Sequence, residues 1–77
     1  MDTVRIARLI LRNHNKIGLY LNNWQIKFLK SISNIQPSQL TKHQQNKFDE
    51  INNKFKSFLN NTKDIKQLYD KYVNYNR

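Results

Sequence analysis

Arg5, Arg8, Arg12 and Lys16 recur at spacings of three and four residues, which puts them in register along one side of an α-helix. Cations in register can track a phosphate backbone and release its counterions, so the chemistry they suggest is polyanion binding. A plain solvated helix face would carry the same row, and the whole-chain balance tips the reading toward binding. Across 77 residues, 14 Lys and Arg stand against 5 Asp and Glu, a formal charge of +9. That excess attracts nucleic acid, an acidic protein surface or an anionic membrane. Lys27, Lys30, Lys47 and Lys54 extend the patch if their helices adjoin the first.

Catalytic chemistry finds little support. His14 and His43 stand apart, without the i+4 histidine or the glutamate of a metal-binding helix, and read as exposed and uncommitted. The carboxylates are scattered, and adjacent Asp49 and Glu50 leave a helix in different directions, so they make no acid–base pair. One glycine cannot form a phosphate-cradling loop, and the absence of cysteine removes thiolate zinc sites and disulfides. The expectation is a chain with no catalytic residue, no metal, no cofactor and no small-molecule substrate.

The elements that must hold these cations are helices. Asp2 or Thr3 caps a first helix through Arg12, with Ile6, Leu9 and Ile10 as its apolar stripe, widened by Val4, Ala7 and Leu11. Lys16-Ile17-Gly18 ends it, with a left-handed turn expected near the glycine. The stretch from Asn23 to Ile51 reads as the centre on which the rest packs. Asn22 or Asn23 caps a helix bearing Trp24, Phe28 and Ile32 at four-residue spacing, and Pro37 breaks the pattern. Thr41 and Gln44 then match a capping box that opens a third helix, whose seam is Phe48, Ile51, Phe55 and Phe58. Thr62 caps a last helix with an apolar face of Ile65, Leu68, Tyr69, Tyr72 and Val73. The expected fold is all-α, one domain over residues 1–77, a small bundle of four helices joined by short loops.

Trp24, one turn before Phe28, reads as a core anchor rather than a platform for a nucleobase; Tyr20 and Tyr75 are the tyrosines expected to be open enough to stack on an unpaired base. A short first helix without a bulky aromatic on its apolar face argues against membrane use. No apolar run reaches the roughly 18 residues of a membrane span, and no signal-peptide pattern opens the chain, so a cytoplasmic location is the default expectation. A sequence-specific reader would need an exposed recognition helix, for which Lys42, Gln45 and Asn46 are the available side chains.

Trp24, Phe28-Leu29, Ser31-Ile32, Leu40-Thr41, Gln44 or Gln45, and Ile51 together form a pattern that resembles the small companion proteins of the UvsW repair helicase in T4-like bacteriophages. The resemblance covers under half of the chain. It implies a compact helical bundle similar to the helicase-and-RNase-D C-terminal module of RecQ-type helicases, acting as an accessory in phage DNA recombination, repair or replication. Its partners would be single-stranded or branched DNA and a helicase, in the cytoplasm of an infected host cell. At Gln25 the pattern departs, because an acidic residue commonly follows the Trp there, and no functional residue carries over. The rival expectation is a protein-interaction module that docks on an acidic surface of a helicase or host protein.

Overall fold

Three of the four helices start where a short polar side chain takes up backbone N–H groups that a first turn leaves unpaired. A computed structural model describes residues 1–74, the side chain of Pro37 aside, so the expectation for Tyr75 lies outside the described residues. Helix α1 spans Thr3–Asn13, and the Asp2 carboxylate accepts from the Arg5 N–H at 3.1 Å. Helix α2 spans Asn23–Ile32 behind a capping box: the Asn22 side chain accepts from the Gln25 N–H at 2.8 Å, and the Gln25 side chain accepts from the Asn22 N–H at 2.9 Å. Gln25 thus fills the N3 role that a glutamate fills in other capping boxes. Thr41 and Gln44 make the same reciprocal pair, at 3.1 and 3.0 Å, at the head of α3, Lys42–Ser57. Helix α4, Lys63–Val73, is the exception: Thr62 sits at the cap position, but its hydroxyl donates backward to the Leu59 carbonyl at 3.2 Å and caps nothing. The 3₁₀ turn Leu59–Asn61 that leads into α4 claims it instead.

The described residues form a small all-α bundle of four helices without a strand. Gly18 has φ +79°, the left-handed conformation expected at the turn after α1. His14, expected to be exposed, is buried at this turn. Its Nδ1 lies 3.1 Å from the Leu19 carbonyl, an oxygen that can only accept, so the ring donates and ties the turn shut. The irregular segment beyond alternates: Leu19 and Leu21 are buried, and Tyr20 between them is 81% exposed. Pro37–Gln39 forms a second 3₁₀ turn, between α2 and α3.

Packing places α1 at the centre, in contact with α2, α3 and α4, and this overturns the expectation that the Asn23–Ile51 stretch organises the chain. The reason is the width of the apolar arc. Ile6, Ala7, Leu9 and Ile10 are all buried, so α1 has neighbours on more than one side, whereas α3 presents only a narrow seam. The molecule measures 33 × 30 × 17 Å. With helices about 10–12 Å across, that leaves room for at most two layers, and every helix keeps a solvent face.

The seam of α3 ends sooner than the spacing predicts. Phe48, Ile51 and Phe55 are buried, but the helix stops at Ser57, Phe58 turns outward to 42% exposure, and Leu59 takes the inward place. On α4, Tyr69 is buried, whereas Leu68 on the same expected face is 42% exposed. The Tyr69 hydroxyl donates to Asn52 Oδ1 at 3.0 Å, joining α4 to α3 through a buried polar pair, and the Tyr69 ring lies 5.9 Å from that of Phe55.

Burial pushes the Tyr69 phenol above its ordinary 10.0; the hydrogen bond with Asn52 pulls it down and the Asp70 charge adds to the rise. Because the folded chain holds this proton more tightly than the unfolded one, its contribution to stability is complete below pH 10 and is lost as pH rises through the folded value. Urea titrations between pH 9 and 11.5 should show wild type losing stability more steeply than Tyr69→Phe. Equal alkaline slopes would show that Tyr69 is not the group responsible. At neutral pH the variant should be about 1–2 kcal/mol weaker, since the Asn52 carbonyl loses its donor.

Candidate nucleic-acid interface

The arginines on α1 are exposed because the residues between them carry the core contacts: positions 6, 7, 9 and 10 are buried, and 5, 8 and 12 are exposed. They do not face open solvent on all sides. Arg5, Arg8 and Arg12 line one concavity of about 250 Å³ with Leu68 and Tyr72 of α4. The Arg5 guanidinium lies 6.0 Å from the Tyr72 ring centroid, at the outer range of a cation–π contact. Its Nε is 3.4 Å from Asp2 Oδ2, an ion pair on a half-exposed side chain that is worth little in water.

Arg8 has a second task. Its Nε and Nη2 both donate to the Ser33 carbonyl, at 3.2 and 2.9 Å, where α2 ends. A cation at a helix C-terminus is favoured by the dipole and satisfies a carbonyl that the helix leaves open. Arg8 therefore latches α1 to α2 and uses two of the five N–H groups of a guanidinium, so it is committed structurally as well as placed on the ridge. Arg12 and Lys16 are exposed and have no ion-pair partner among the described residues.

Lys16 lines a second concavity, about 470 Å³, with Lys63, Asp64 and Ile65 at the start of α4. Asn13 and Leu68 belong to both concavities, so the two run together as a groove along the α1–α4 seam. Lys63 is a member that sequence reasoning missed. It is 47 positions from Lys16 in the chain and shares no helical register with the ridge; only the docking of α4 on α1 brings it there. Asp64 is the one carboxylate among the residues lining this groove.

The remaining predicted cations stand elsewhere. Lys27 and Lys30 are exposed on α2, Lys54 is exposed on α3, and none of the three lines the groove. Lys47, also outside it, is half-buried and pairs with Glu50 at 4.0 Å, which lowers its local charge.

Trp24, expected in the core, is 56% exposed. The four-residue spacing to Phe28 did put the two on one face, but that face lies at the edge of α2's contact with the core rather than over it. Leu29 and Ile32 do the burying, while Phe28 is half-buried and stacks on the indole at 5.3 Å with only 4° between the planes.

No protein-family model matches the chain, and neither a curated protein nor a solved structure matches it. No helix among the described residues is long and apolar enough to cross a membrane.

Proposed function

We propose that this chain is a small non-enzymatic accessory protein that binds single-stranded or branched nucleic acid through its phosphates, with little sequence preference. The observation that carries this reading is the groove along α1 and α4, where Arg5, Arg8, Arg12, Lys16 and Lys63 gather against one lining carboxylate, Asp64, and a second, Asp2, paired with Arg5 outside it, in a chain of net charge +9. Arginine and lysine rows of this kind neutralise phosphates and gain from counterion release. The likeness to companion proteins of a phage repair helicase points the same way, toward recombination, repair or replication, and rests on scaffold residues such as Phe28, Leu29 and Ile32. Lys27 and Lys30 would meet a strand only if it continued over α2.

Fluorescence anisotropy with labelled single-stranded, duplex and forked oligonucleotides at about 0.15 M salt tests it. The expected result is binding tighter than the roughly 10⁻⁴ to 10⁻⁶ M that charge alone supplies, with the forked and single-stranded probes preferred to blunt duplex. Binding no tighter than that range would move the groove to the rival reading, an acidic protein surface on a helicase or host protein.

A further inference from the structure

We infer that the exposed face of Trp24 is a stacking platform for one unpaired base of a single strand, an inference that rests on the nucleic-acid reading above and locates where the bases go. The indole is 56% exposed although it lies in the first turn of a capped helix, where its backbone is held by the Asn22–Gln25 box. One of its faces is covered by the nearly parallel ring of Phe28, and Phe28 in turn packs against the core. A base laid on the opposite face would lengthen an existing stack without any rearrangement of the protein. Isolated exposed aromatics are common on protein surfaces, and what selects a base here is charge. Lys27 follows three residues after Trp24 on the neighbouring helix face and is exposed, so its ammonium supplies a positive charge within a helical turn of the indole. Tyr20, 81% exposed on the segment that enters α2, offers a second open ring. Sequence-tolerant stacking on aromatic side chains beside basic residues is how single strands are held without base-edge readout. Inside a duplex each base already has partners on both faces, so the platform favours single strands and the open arms of forks.

Trp24 is the only tryptophan in the chain, so its emission reports on this site alone. The full chain is titrated with an oligothymidylate and with an all-abasic strand of equal length, and anisotropy of labelled strands is followed in parallel. Oligothymidylate should quench the emission, and the abasic strand should bind without quenching. Trp24→Ala should weaken oligothymidylate binding by about 5- to 150-fold and abasic binding by less than about twofold, while Trp24→Phe restores most of the loss. Far-UV circular dichroism of both variants should match wild type, since the replaced side chain is largely in solvent. Oligothymidylate that binds without changing the emission, and with equal affinity in Trp24→Ala, overturns the platform and leaves the phosphate groove standing. Failure of both strands to bind in anisotropy overturns the nucleic-acid reading itself, and the platform with it.

Discussion

Replacing Arg5, Arg8 and Arg12 together by alanine will reduce the salt dependence of single-strand binding by about 2 in the slope of log K against log salt, because each lost phosphate contact on a single strand removes about 0.7. Affinity at low salt should fall by about a hundredfold, and the difference from wild type should shrink as salt rises. Arg8 holds the end of α2 through two hydrogen bonds to Ser33, so the triple variant loses a helix latch together with a charge. Two donors from a cation to one carbonyl stabilise by about 1.5–3 kcal/mol. Thermal melts must therefore accompany the binding curves, and Arg12→Ala with Lys16→Ala supplies the cleaner pair, as both side chains are exposed and outside the ion pairs of the described residues. That double variant should lower the slope by about 1.4 with an unchanged melt. An unaltered slope in both variants would remove the ridge from the account of binding.

The second large effect is structural. Phe55→Ala should cost about 3–5 kcal/mol, the range for emptying a buried phenylalanine site. For 77 residues, total stability is on the order of 4–12 kcal/mol, so the variant will lose at least about a quarter of it. Phe55 has no solvent exposure and meets the Tyr69 ring, which itself depends on Asn52, so the cavity would open between α3 and α4. Phe58→Ala, three residues on, should cost no more than about 1 kcal/mol because that ring already lies 42% in solvent. Urea unfolding followed by circular dichroism compares the two directly. Similar losses would mean that the seam of α3 continues through Phe58, as the spacing alone suggests.

This pair of phenylalanines shows where sequence periodicity stops being informative. Phe55 and Phe58 obey the same three-and-four pattern, yet the helix ends between them and the next turn sends Leu59 inward. Trp24 shows the same limit from the other side. Its spacing to Phe28 correctly puts the two rings on one face, but whether that face meets the core or its edge depends on where α1 docks, which no local pattern contains. The ring that the spacing assigns to the core is therefore 56% exposed, which is the observation on which the stacking proposal rests. Buried His14 and the Asn52–Tyr69 pair were equally hidden: each is a polar side chain whose partner lies in another element or across a turn.

Residue pattern alone carries the set of helices and, to within a residue, where they begin. Capping boxes close within four residues and amphipathic stripes repeat every turn, so Thr41–Gln44, Gly18 and the Ile6–Leu9–Ile10 stripe carry their own geometry, whereas the pattern leaves Asn22 and Asn23 equal as caps of α2 and the structure pairs Asn22 with Gln25. Helix docking sets the rest: α1, rather than the Asn23–Ile51 stretch, sits at the centre, Arg8 is a latch, and Lys63 joins Arg12 and Lys16 along one groove. The physical reason is range. Caps and helical periodicity act over one turn, whereas a groove exists only after two helices distant in the chain have buried their apolar faces against each other and left their cations side by side.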